Sequence, residues 1–281
     1  MKTIKFYATL AILATMMCSC QKFSSESEKI SAKSEDNNVA LNLTKTELVK
    51  TVCKKVSFAF FKVDEKIGTL SQTTDDEDFG SLHLSLSPGV YRVVAIGHNG
   101  TGNCTISSPE KITFTNNKLT DTFYYYGTLE AKEGENESHS ITLRRGVAMF
   151  RLHIKDEIPS NAKRIQFYYT GGSSTFNAVT GYGCVNSKQT ETFDLKPEQK
   201  EYEVFTFPHS DDKKLKMTIS ILNETGFVIA STTFDDVIIK KNYITKYSGK
   251  LFTENPGGET SNIEIDFEFD PEWAGENKVE F

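Results

Sequence analysis

The chain has 281 residues, a formal net charge of −6, 38% hydrophobic residues and 11% aromatic residues. That composition supports buried cores and excludes a disordered chain. Lysines and acids are mixed throughout without a basic stripe, so no nucleic acid is expected as a partner.

The N-terminus carries Lys2 and Lys5, then an uncharged apolar run from Phe6 to Met17. This is the charged-then-apolar order of an export signal. The run is too short for a bilayer, which takes ~20 apolar residues. Ser19 then precedes Cys20. The segment resembles a bacterial lipoprotein signal, in which the cysteine is acylated and becomes the first mature residue. Cys20 is the expected lipidation site. Cys18, which follows the bulky Met17, is a rival, and an ordinary cleaved signal with a chance cysteine is the alternative. Acyl chains gain ~0.8 kcal/mol per buried methylene, so several chains on one cysteine would hold the protein firmly at the outer membrane. About 260 residues then remain, enough for two domains.

The expected organisation is a signal peptide at 1–19, a flexible tether at 20–38, an N-terminal β-sandwich at 39–140, a C-terminal β-sandwich at 141–253, and a linker with a terminal strand at 254–281. The tether is rich in Ser, Glu and Lys with few apolar positions. Structure is expected to begin with the short strand Ala40 to Leu43. Lys55 to Val63 is rich in β-branched and aromatic residues, which favours a strand. Thr73 to Phe79 is an acidic loop without the regular ligand spacing and bend glycine of a calcium loop. Leu82, Leu84 and Leu86 then alternate with His83 and Ser85, and Tyr91, Val93 and Ala95 alternate beyond Ser87-Pro88-Gly89. Two period-2 strands around Pro-Gly form a hairpin or a tight strand connection. Ile112 to Phe114 and Thr122 to Leu129 add two strands, and Glu130 to Ser138 reads as a polar loop.

A second cluster of strands begins with Ile141 to Ile154 and continues through Arg164–Tyr169, Glu201–Phe207, Leu215–Leu222, Val228–Thr233 and Val237–Ile239. Asn223-Glu224-Thr225-Gly226 reads as a hairpin loop. No 3.6-residue apolar period persists for three turns. The chain is therefore expected to be all-β, with the turn spacing of sandwiches. Past the linker Glu254 to Ser261, Ile263, Ile265, Phe267 and Phe269 alternate with Glu264, Asp266, Glu268 and Asp270, and Trp273 follows. Such a strand needs an apolar groove on one side and water on the other. The groove could belong to this chain or to another.

Little in the sequence points to catalysis. His83, His98, His139, His153 and His209 stand in no metal-ligand spacing, and no G-x-S-x-G elbow occurs. No enzyme activity, metal or cofactor is expected. Cys53, Cys104 and Cys184 allow three pairings with one thiol left over, while the general burial of cysteine argues for buried free thiols. Tyr124-Tyr125-Tyr126 and Tyr168-Tyr169 could stack sugars, although adjacent strand residues face opposite sides.

The lipoprotein signal, the stretches SPGVYRVVAIGHNG, DTFYYYGTL and LRRGVAMFRLHI, and the terminal strand together resemble Bacteroidota type V fimbrial proteins. They are most similar to the FimB-like and Mfa-like subunits, fimbrial anchors included. The resemblance implies two transthyretin-like sandwiches and a structural role in a surface fimbria, with other fimbrial subunits as partners. It also implies joining by β-strand addition, in which Ile263, Ile265, Phe267 and Phe269 form the donor strand. Stalk subunits of that family lose an N-terminal strand to an arginine-specific protease. The first arginine here is Arg92, inside an expected strand, so the resemblance favours an uncleaved anchor. A stand-alone surface lipoprotein that binds glycan or host protein is the alternative.

Overall fold

The computed structural model describes residues 31–32, 38–252, 268–270 and 273. Among these the fold is all-β, two sandwiches in tandem, with one short helix and one 3-10 turn.

The first sandwich packs sheet A on sheet B. Sheet A runs Ser31–Ala32, Ser81–Ser85, Val39–Leu43, Glu137–Ile141, and its last two strands are parallel. Sheet B runs Arg144–Arg145, Thr122–Ala131, Gly89–His98, Lys55–Lys62, Glu65–Thr73. Val39, Leu41, Leu82 and Leu84 from sheet A meet Phe58, Phe60, Tyr91 and Val93 from sheet B in one core. The Pro-Gly element joins the two sheets. It is thus an arch across the sandwich and not a hairpin, the second of the two forms its sequence allowed. The Tyr91 hydroxyl donates to the Ser87 carbonyl at 2.6 Å and closes the arch on itself.

The second sandwich packs sheet D, ordered Glu201–Thr206, Ala148–Ile154, Ile244–Gly249, Glu268–Asp270, on sheet E, ordered Gln189–Asp194, Arg164–Thr170, Lys214–Leu222, Val228–Ile238. Ala148, Phe150, Leu152 and Ile154 alternate into this core, while Arg151 and His153 face out beside Glu203 and Glu201. Asn223 to Gly226 does close a hairpin, with Leu222 opposite Val228.

Sheet C joins the two halves. Its order is Tyr182–Gly183, Phe176–Asn177, Lys111–Phe114, Cys104–Ser108, so strands from both halves of the chain share one sheet. Sheet C and the near end of the second sandwich cover the outer face of sheet B. Ala59, Phe61, Val94 and Ile96 pack there with Ile112, Phe114, Met149, Phe176, Phe207 and Trp273 in a third core. Sheet B is therefore buried on both faces, which explains six consecutive buried residues in Lys55–Lys62.

Several local expectations change. Thr46–Val52 is a helix that buries Val49; two turns are too short to establish a helical period. The loop read from Glu130 to Ser138 shrinks, because strands cover Thr122–Ala131 and Glu137–Ile141. Arg144 and Arg145 pair with Tyr124 and Phe123 of the first sandwich before Ala148 opens the second. Cys53, Cys104 and Cys184 are all free; Cys53 is buried, Cys104 half-buried and Cys184 exposed.

Candidate functional site at the C-terminal strand and domain junction

The tail enters the fold at two points. Glu268–Asp270 pairs antiparallel with Ile244–Gly249, setting Phe269 opposite Thr245 and Glu268 opposite Lys246. Three residues further on, Trp273 is 8% exposed and buried in the junction core. Of the expected donor-strand residues, Phe269 lies in this paired strand. Ile263, Ile265 and Phe267 lie outside the described residues, as does Cys20.

Trp273 rests on a built polar centre. The Arg145 guanidinium lies 4.0 Å from the Trp273 ring and 4.7 Å from the Phe123 ring. It donates to both oxygens of Asp121, at 2.7 and 2.9 Å, and to the Asn242 side-chain oxygen at 3.0 Å. Burial lifts the Asp121 carboxyl above its usual range, and Arg145 opposes that rise. Phe205 stacks on Trp273, with ring centroids 6.2 Å apart. An arginine can satisfy this site because its planar face takes rings while its edge takes the carboxylate. None of Arg145, Asp121 and Asn242 stood out in the sequence. They are brought together from the strand Arg144–Arg145 and from the turns before Thr122–Ala131 and Ile244–Gly249, and no spacing links them.

Two cavities lie nearby. One of about 330 Å³ is walled by His98, Phe114, Leu119, Phe193 and Phe205, between the sandwiches. His98 is 2% exposed and its Nδ1 accepts from the Gly100 amide at 3.1 Å, so the neutral ring carries its proton on Nε2, which has no partner. Burial holds the His98 pKa down at about 4. The other cavity, of about 350 Å³, is lined by Tyr124, Tyr125, Tyr126, Thr142, Arg144 and Val179. Tyr168 and Tyr169 do not join it. Tyr169 is buried with its hydroxyl on the Phe205 carbonyl at 3.0 Å, and Tyr168 is exposed. Among the described residues no group of three or more His, Cys, Asp or Glu could hold a metal ion.

A family model covers residues 102–281, from the loop before sheet C through the tail. The chain belongs to this family, described as a family of unknown function, DUF6562. The DUF6562 chain matches no protein of curated function. Its fold is similar to that of a candidate adhesin from Bacteroides ovatus, at TM-score 0.54 and 10% identity over 82% of this chain and 94% of that one. A second candidate adhesin, from Bacteroides ovatus ATCC 8483, gives TM-score 0.50 and 15% identity over 81% and 92%. The fimbrial anchor protein Mfa2 from Porphyromonas gingivalis gives TM-score 0.40 and 11% identity over 75% and 89%.

Proposed function

We propose that this protein is a lipid-anchored structural subunit of a cell-surface fimbria, held at the outer membrane through Cys20 and joined to neighbouring subunits by β-strand addition. The anchor is its position in the assembly. One observation carries the reading: the edge of Ile244–Gly249 takes a C-terminal strand by backbone pairing. That is the form of contact by which one chain adds a strand to another. The fold shared with the two candidate adhesins supports a surface role, and the export signal with Cys20 supports delivery to the membrane. In this reading Ile263, Ile265, Phe267 and Phe269 are the joining row. Each such side chain contributes ~1.5–3 kcal/mol when fully buried, before ordering costs.

The test is truncation after Thr253, with thermal melting and recovery of fimbriae from cells. The expected outcome is a chain that still folds, melts several degrees lower and no longer holds fimbriae on the cell. Fimbriae recovered at the normal level on truncated chains would end the proposal. Replacing Cys20 with Ala is expected to release folded protein from membranes. The tyrosine-lined cavity favours a second reading, a lone surface lipoprotein that binds glycan, since its volume suits a sugar ring and tyrosines give stacking faces. Loss of glycan binding on Tyr126→Ala, with fimbriae intact, would select it.

A further inference from the structure

The cavity walled by His98 and Phe205 takes no part in strand addition. Among the described residues its flanks are the two edge strands of the second sandwich, Gln189–Asp194 of sheet E and Glu201–Thr206 of sheet D. The loops after Gly89–His98 and Lys111–Phe114 close it. Along Gln189–Asp194 one face carries Gln189, Glu191 and Phe193. Gln189 is buried and Phe193 packs on the second core, so this is the inward row. Glu191 therefore points inward too, with its side chain only 16% exposed. Burial lifts its carboxyl above the usual range, and Lys118, 3.5 Å away, opposes that rise. An inward charge can blunt an edge strand against pairing. That role needs no space beside the charge, whereas Glu191 borders a cavity of about 330 Å³.

The lining favours a neutral ligand rich in hydroxyls. A second carboxylate in the wall, Glu203, is held by Arg151, whose nitrogens reach its Oε1 at 2.7 and 2.8 Å. Each carboxylate thus has its own cation, so the site carries no charge imbalance for an ionic ligand to answer. An ionised carboxylate has about four acceptor sites, and one cation does not fill them. Hydroxyls that donate to such oxygens form the stronger, charge-assisted kind of hydrogen bond. Phe193 and Phe205 supply an apolar wall for the C–H face of a ring. His98 adds a donor to the same wall, since its Nε2 has no protein partner. The volume lies at the small end of the ~300–1,000 Å³ of ligand pockets, which suits a ring or two and not a long chain.

We propose that this cavity binds a neutral sugar, with a pyranose ring against Phe193 and Phe205 and its hydroxyls on Glu191 and Glu203. The site shares no lining residue with the tyrosine-lined cavity. It is also independent of strand addition. The tail pairs along Ile244–Gly249, and Ala148–Ile154 separates that strand from Glu201–Thr206 in sheet D. One subunit can therefore hold a sugar while its tail is engaged.

The lone tryptophan reports on this site, because Trp273 stacks on Phe205 in the cavity wall. Full-length protein is titrated with the methyl glycosides of glucose, galactose, mannose and N-acetylglucosamine, and with glucuronate as the acidic control. Binding is followed by Trp273 fluorescence and by calorimetry. The expected result is saturable binding of at least one neutral glycoside and none of glucuronate. Glu191→Gln is expected to weaken that binding about tenfold or more. Its melting temperature should hold or rise, because an inward charge is removed. Thr101→Phe, at the exposed mouth, should block binding without touching either core, and Tyr126→Ala should leave binding intact. No saturable binding of any neutral glycoside at tens of millimolar overturns the proposal, as does tighter binding of glucuronate or an unchanged affinity in Glu191→Gln. Binding kept in Thr101→Phe but lost in Tyr126→Ala places the sugar in the tyrosine-lined cavity and overturns it as well.

Discussion

Arg145 is a buried, fully engaged charge at the junction. Its side chain is 6% exposed, two rings cover its faces, and Asp121 takes its edge. Removing one partner of a buried pair leaves the other charge uncompensated and costs ~3–5 kcal/mol. Arg145→Ala is therefore expected to lower unfolding free energy by about that amount in urea titration, and to expose Trp273 fluorescence to solvent. Arg145→Lys should recover only part of it, because an ammonium cannot bond both Asp121 oxygens while lying flat between rings. His98 sets a pH response. Its folded pKa, about 4, lies below the ordinary 6.5. The unfolded chain thus takes up a proton between pH 6.5 and 4 that the folded chain refuses. The contribution is whole above pH 6.5 and is lost as pH falls through that window, by up to ~3 kcal/mol. His98→Asn is expected to flatten this part of the stability profile measured by denaturant melts. Residues of this kind were not legible in the sequence. Arg145 reads there as one of two adjacent arginines, and its partners Asp121 and Asn242 lie 24 and 97 positions away.

Elements were legible where one face is wet. Leu82 and Leu84 alternate with exposed or half-exposed neighbours, and the strand reads directly from that pattern. Where both faces are covered the period vanishes, as in Phe58 to Phe61, and residue type alone has to carry the assignment. The Pro-Gly element shows a different limit. A hairpin and an arch between sheets have the same local sequence, and only the partners of Ser81–Ser85 and Gly89–His98 separate them. The arch is closed by the Tyr91 hydroxyl, a contact like the tyrosine corner of other sandwiches. Tyr91→Phe keeps the packing and removes that bond, so it is expected to cost ~1 kcal/mol in a two-state melt. A loss well above that would mean the hydroxyl organises more of the arch than its single backbone partner. The tail strand was the clearest alternation of all, yet its pattern could not say which chain supplies the groove. Alternation reports that one side is covered and is silent about the cover.

At the scale of the whole molecule, the sequence suggested two separable sandwiches, and their shared third core was not legible. That core depends on which side of sheet B meets sheet C, a relation among strands far apart in the chain. Phe176 is its centre, fully buried, with ring centroids 4.6 Å from Phe207 and 4.8 Å from Tyr124. Phe176→Ala removes contacts to both halves at once and is expected to cost ~3–5 kcal/mol. Because the two halves share buried surface, calorimetry is expected to show one transition whose van't Hoff and calorimetric enthalpies agree. Two resolved peaks would show the halves to be independent. Sheet C has a mechanical consequence as well. Strands from the two halves of the chain are hydrogen-bonded in one sheet across the junction, so bending there would have to break that pairing. A pull applied at the tail would first meet the short Glu268–Asp270 ladder and the Trp273 plug, with the stiff two-sandwich body behind them. Under flow or tension the tail pairing along Ile244–Gly249 would yield before the body bends.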